Sequence, residues 1–150
     1  MNPNQSSGGA ADIGIDLSEF TGVFFEEAAE HLGNMESLLL AIGDAEPTDE
    51  DLNAIFRAAH SIKGGAAMFG FEDVTELTHD LESTLDAVRK HELALTPAMI
   101  DAFLAARDLT SKQLGQHKAG TPGSSEDPES QELRARIRAF KSGDAAAQAP

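Results

Sequence analysis

The sequence predicts an all-α protein: an antiparallel, up-and-down four-helix bundle with an additional C-terminal fifth helix. Three observations carry this expectation. Apolar residues recur at spacings of three and four over several long segments, and no strand-type alternation appears anywhere. Turn-forming Gly and Pro residues punctuate those segments. With 8 Phe and no Trp, Tyr or Cys, the core must be built from Leu, Ile, Ala, Met and Phe, a palette suited to helix-on-helix packing. A length of 150 residues fits one domain with flexible ends, and 41% hydrophobic content is enough for a modest core.

The elements follow in order. Residues 1–15, rich in Asn, Ser, Gly and Ala, read as a disordered N-terminal extension. A first helix is expected from about Leu17 to Ile42, with Phe20, Phe24, Ala28, Leu32, Met35, Leu39 and Ile42 on one apolar face. Gly43 to Thr48, with Pro47, forms a turn. A second helix from about Asp49 to Met68 turns Leu52, Ile55, Phe56, Ala59, Ile62, Ala66 and Phe69 inward. Its first turn carries Asp49, Glu50 and Asp51, which suits the positive end of the helix dipole. Gly70 is the expected terminating glycine.

A third helix from about Glu72 to His91 buries Val74, Leu77, Leu81, Leu85 and Val88. Thr96-Pro97 supplies an N-cap and a proline at the first helical position. The fourth helix is expected to end near Gly115, with Ile100, Phe103, Leu104 and Leu114 as core, which sets the bundle at residues 16–115. Residues 116–128 have linker composition, including Gly120, Pro122, Gly123 and Pro128. The fifth helix, 129–141, places Leu133, Ile137 and Phe140 on one side among Arg134, Arg136, Arg138 and Lys141, and residues 142–150 read as a flexible tail.

Charge and composition exclude several function classes. A formal net charge of −15 argues against a nucleic-acid or anionic-membrane surface, since both reward positive charge. The absence of Cys excludes disulfides and thiolate zinc sites. Met1 to Ala11 lacks the basic and apolar regions of a signal peptide, and no apolar run approaches the roughly 20 residues of a membrane span. The expectation is a cytoplasmic protein with no membrane insertion.

Chemistry concentrates in Ala59-His60-Ser61-Ile62-Lys63-Gly64-Gly65-Ala66. Helical spacing places Lys63 and Gly64 on the turn beside His60. Two glycines inside a helix cost roughly 1 kcal/mol each relative to alanine, which implies that the space is needed. A nucleophilic imidazole would use Lys63 as a counter-charge and the gap as an approach route. The second and third helices are joined by a tight turn at Gly70, so residues beyond that turn lie level with His60, and this brings Thr78, His79 and Glu82 near the ring. A carboxylate that accepts from one ring N–H fixes the tautomer and leaves the other nitrogen with its lone pair outward. It also stabilises the charge that grows on the ring during attack. Lys63 supplies a cation for an incoming phosphoryl group.

Phe56-Arg57-Ala58-Ala59-His60-Ser61-Ile62-Lys63-Gly64-Gly65-Ala66, then Phe69-Gly70-Phe71 and His79-Asp80-Leu81-Glu82, closely resemble the N-terminal histidine phosphotransfer (HPt) domains of CheA-type chemotaxis histidine kinases. The resemblance covers roughly Leu17 to Gly115. It implies that His60 is the phosphoryl acceptor, that Lys63, His79 and Glu82 support it, and that Gly64 keeps the approach open. It implies two partners: an ATP-dependent kinase core, in the same or a separate chain, and a CheY-like response regulator whose aspartate receives the group. No cofactor is then expected in this chain, ATP and Mg belonging to the kinase core and Mg to the regulator. Partner access is expected around Gly64 and Gly65, with Ala67, Met68 and Phe71 as an outward apolar patch. No motif for binding ATP is found, so the chain reads as a non-autonomous, amino-terminal part of a longer kinase.

Two other classes compete with this reading. A metal site built from His60, His79 and Glu82 has ligands suited to zinc, but Lys63 beside it would repel the ion. A helical interaction module without chemistry leaves Lys63 and the glycine pair unexplained. His31, His91 and His117 are read as exposed and without a role, Glu26, Glu27 and Glu30 as a solvated face, and the Phe residues as core.

Overall fold

The computed structural model describes residues 14–42 and 46–143, with side chains from Ser18 onward. Most of the expected N-terminal extension, the start of the first turn and most of the expected tail fall outside the described residues. Among the described residues there are five helices: α1 (Gly14–Ile42), α2 (Asp49–Met68), α3 (Glu72–Arg89), α4 (Pro97–Ala119) and α5 (Pro128–Ser142). Helices α1 to α4 pack in sequence and close through α1 against α4, and α5 packs against α3 and α4.

The core follows the periodic positions. Phe24, Ala28, Leu32, Met35, Leu39 and Ile42 of α1 are buried against Leu52, Ile55, Ala59, Ile62 and Ala66 of α2 and Val74, Leu77, Leu81, Leu85 and Val88 of α3. Phe20 departs from the expectation. It is 52% exposed and lies at the rim of a cleft between α1 and α2.

Helix ends show how caps set the turns. Thr48 accepts from the Asp51 N–H at 3.0 Å and Thr96 from the Met99 N–H at 3.2 Å. Each hydroxyl thereby satisfies a donor that has no partner inside its helix. At the end of α2, Gly70 takes φ +74°, and the Phe71 and Gly70 N–H groups donate to Ala66 and Ala67 carbonyls at 2.9 and 3.2 Å. This paired arrangement needs a left-handed residue, which glycine adopts at little cost. The same device ends α3 at Arg89, two residues before the expected end. There the left-handed residue is His91 (φ 63°), whose Nε2 lies 2.9 Å from Asp49 Oδ1.

Two expectations about the C-terminal third are corrected. Helix α4 does not stop near Gly115 but runs to Ala119, and the left-handed glycine is Gly120, φ 80°. The extra turn is anchored by His117, whose ring stacks on Phe71 at 4.0 Å between centroids and whose Nε2 lies 2.7 Å from the buried Asp73 Oδ1. His117 is therefore neither exposed nor idle: it ties the end of α4 to the start of α3. Helix α5 is firmly docked. Ile137 and Phe140 are fully buried, the Thr84 hydroxyl donates to the Ile137 carbonyl at 3.3 Å, and Arg134 and Arg138 both donate to Asp80 Oδ2, at 2.7 and 2.8 Å.

Candidate functional site

The α2–α3 hairpin builds the site. His60 is exposed on α2, and its Nδ1 pairs with Oε2 of Glu82 on α3. Lys63 Nζ donates to Oε1 of the same carboxylate. Glu82 thus bridges the two α2 side chains. Its own side chain is 11% exposed, against 62% for His60 and 26% for Lys63. Burial pushes the Glu82 pKa up, but the hydrogen bonds from Lys63 and His60 outweigh it and hold the carboxyl below its ordinary value of 4.5.

An ionised carboxylate can only accept. Nδ1 of His60 must therefore carry the proton, and Nε2 is left with its lone pair at the solvent-exposed edge of the ring. The arrangement is that of a nucleophilic nitrogen with an ammonium nearby, the counter-charge to the growing imidazolium already in place behind it.

The two glycines differ. A Cβ at Gly64 would meet nothing within 4 Å, whereas one at Gly65 would collide with Cδ1 and Cε1 of Phe24. Gly64 leaves open space on the His60 face, and Gly65 admits the Phe24 ring against the α2 backbone.

Other expected site residues are distributed differently. His79 is exposed and borders a cleft with Asp80, Ser83, Arg138 and Lys141. It forms no hydrogen bond with His60, Lys63 or Glu82 and lies on the side of α3 that faces α5. Thr78 is buried, with its hydroxyl donating to the Val74 carbonyl at 2.7 Å. Ala67 and Met68 point outward, Met68 strongly so. Phe71 does not: it joins Phe24, Phe25 and Phe69 in an aromatic cluster. The apolar residues that flank the site in its place are Phe20 and Val23, which line a cleft between α1 and α2 with Ser61, Gly65 and Met68. Among the described residues, no group of three or more His, Asp or Glu side chains is placed to share a metal ion, and His60, His79 and Glu82 do not converge.

Sequence reasoning missed one neighbour and misread another. Arg89 of α3 lies over the Phe56 ring, its Cζ 3.8 Å from the centroid. Phe56, expected as ordinary core, is only partly buried and runs parallel to the His60 ring. Phe56 is four residues before His60, a spacing that signals a shared face. Nothing local announces Arg89.

Residues 19–142 match the family model for the Hpt domain. The chain belongs to the Hpt domain family. Its curated relatives include the chemotaxis protein CheA of Klebsiella aerogenes, 48% identical over 106 residues covering 71% of this chain. CheA of Salmonella typhimurium is 44% identical over 117 residues, or 78% of this chain. The chain spans about one sixth of the length of these relatives (16% and 17%). Among solved structures, the solution structure of the histidine phosphotransfer domain of CheA matches with TM-score 0.71 and 30% identity, covering 81% of this chain and 91% of that one. The phosphorylated P1 domain of CheA3 from R. sphaeroides, in complex with CheY6, shares the fold at TM-score 0.71 and 24% identity, covering 81% of this chain and 98% of that one. The Hpt match includes the docked α5. No helix among the described residues is long and apolar enough to cross a membrane.

Proposed function

We propose that this Hpt domain is a phosphoryl relay in a chemotaxis two-component system, with Nε2 of His60 as the acceptor. The observation that carries this reading is the Glu82 bridge, which accepts from the Nδ1–H, leaves the Nε2 lone pair outward and keeps Lys63 alongside. In the first step Nε2 attacks the γ-phosphorus of ATP held with Mg by a kinase core, the bond to the bridging oxygen breaks, and ADP leaves. The imidazolium that results keeps its Nδ1 proton against Glu82. In the second step an aspartate of a CheY-like, Mg-bound response regulator attacks the phosphorus, the N–P bond breaks, and neutral His60 returns. The kinase core lies on the same or another chain, and the relay operates in the cytoplasm.

Lys63 and Glu82 support the acceptor; His79, expected beside them, lies on the α5 side of α3. Access for both partners is across Gly64, with Gly65, Ala67 and Met68 beside it. Met68, Phe20 and Val23 supply the exposed apolar rim on which a regulator docks. The R. sphaeroides neighbour, a phosphorylated P1 domain in complex with CheY6, is consistent with such a partner.

The test is incubation with the kinase core of a CheA relative and γ-labelled ATP. The wild-type chain takes up acid-labile, alkali-stable label, as an N–P bond requires, and a receiver domain removes it. His60→Gln stays helical and takes up none, since His60 lies off the apolar stripe of α2. A folded His60→Gln chain that still accepts label refutes the assignment.

A further inference from the structure

The imidazole turns about its Cβ–Cγ bond, and the hydrogen bond at Nδ1 restrains that rotation at one point only. The rotation would carry Nε2 sideways, and the imidazole is exposed on that side. Phe56, one helical turn before His60, supplies a second constraint. The two rings are nearly parallel, 11° between planes, with centroids 6.0 Å apart, inside the range over which aromatic pairs attract.

Phe56 is itself held. The Arg89 guanidinium lies over its ring and is fixed by two further contacts: Nε donates to Asp86 Oδ1 at 2.7 Å and Nη1 to Asn53 Oδ1 at 3.4 Å. Asp86 is kept ionised by Lys90 and Arg89, which hold its carboxyl below the ordinary range. A chain of contacts therefore runs from α3 through Arg89 and Phe56 to the imidazole, and a second from α3 through Glu82. We propose that Phe56 and Arg89 are positioning residues for His60: the guanidinium clamps the phenyl ring, and the phenyl ring sets the plane in which Nε2 faces an incoming phosphorus. The proposal rests on the relay reading of His60 and adds to it what aims the nucleophile.

A core role alone would not require this geometry. Leucine would fill the same partly buried space, and no guanidinium is needed over a ring that merely packs. The variants Phe56→Leu, Phe56→Tyr and Arg89→Met separate the two roles in the full chain. Two readouts are taken. The first is the NMR signals of the His60 Cε1–H and Cδ2–H, with those of His31, His79, His91 and His117 as internal controls. The second is the rate of phosphorylation by phosphoramidate, a small N–P donor that needs no docking partner, followed by intact mass.

Phe56→Leu and Arg89→Met are expected to move the His60 signals alone and to slow phosphorylation roughly two- to tenfold, the rate equivalent of one aromatic-pair contact. Phe56→Tyr keeps the ring and restores both readouts. Unmoved His60 signals in a folded Phe56→Leu chain overturn the stack. Moved signals with a wild-type rate overturn the positioning role. If Phe56→Leu fails to fold, Arg89→Met, which leaves Phe56 in place, decides by the same criteria. A wild-type chain that phosphoramidate never modifies overturns the relay reading itself, while the His60 signals still report on the stack.

Discussion

Alanine substitution at each of the two adjacent glycines of α2 should have opposite consequences, and the structure gives the magnitudes. Alanine at Gly64 gains helix propensity of about 1 kcal/mol and meets nothing within 4 Å. Alanine at Gly65 gains the same about 1 kcal/mol of propensity, but its Cβ collides with the Phe24 ring. That ring cannot retreat cheaply: Phe24 is 8% exposed, and its centroid lies 5.8, 5.6 and 6.1 Å from those of Phe25, Phe69 and Phe71. Forcing an extra carbon into such packing costs about 1–3 kcal/mol. Gly64→Ala is therefore expected to be stabilised by about 1 kcal/mol, and Gly65→Ala to fall between neutral and about 2 kcal/mol destabilised. The propensity gain cancels between the variants, so the gap between them isolates the overpacking. At roughly 4 °C per kcal/mol for a chain of this size, the gap is several degrees in Tm. Urea and thermal unfolding followed by far-ultraviolet circular dichroism measure it. Equal stabilities for the two variants would refute the assignment of Gly65 to ring packing.

Gly64→Arg is expected to stay folded, arginine being a better helix former than glycine, while slowing both phosphorylation and transfer by covering the imidazole; an unaltered transfer rate removes Gly64 from the access route. The acid side of the stability curve reports on Glu82. Its folded pKa lies below 4.5, so the ionised carboxylate contributes stability that is present above that value and is lost as pH falls through the lower folded value. The Tm of the wild type should accordingly drop more steeply on acidification below pH 4.5 than that of Glu82→Gln, and parallel curves would contradict the bridge. Ile137→Ala, at a fully buried position on α5, should lower unfolding stability by about 2–4 kcal/mol in a urea titration; a cost under about 1 kcal/mol would mean that α5 is not part of the cooperative core.

The sequence alone determined the helical architecture and singled out His60. Period-3.6 patterning placed the buried faces of α2 and α3 correctly, because a stripe of Leu, Ile, Val and Ala must be removed from water whatever it packs against. Cap chemistry placed Gly70 and Thr96, because satisfying terminal backbone groups is a local matter. The pairing of His60 with Glu82 was also legible, since a tight hairpin fixes which residues lie level across it. What only the tertiary structure decided were the contacts between elements distant in sequence. Helix α4 runs past Gly115 because His117 finds Asp73 and Phe71, 44 and 46 positions earlier, and that anchoring outweighs the local break. Phe20 is exposed, despite its place on the apolar stripe, at the rim of a cleft that α1 and α2 leave open. His79 parts from His60 because it lies on the side of α3 that faces α5, a helix docked by pairing its own Arg134, Arg138 and Ile137 with Asp80 and Thr84 of α3. Arg89 reaches His60 through Phe56 for the same reason. Periodicity states which face of a helix is buried, but the partner that covers it, and the charged side chain that closes over its edge, are fixed only when all five helices pack together.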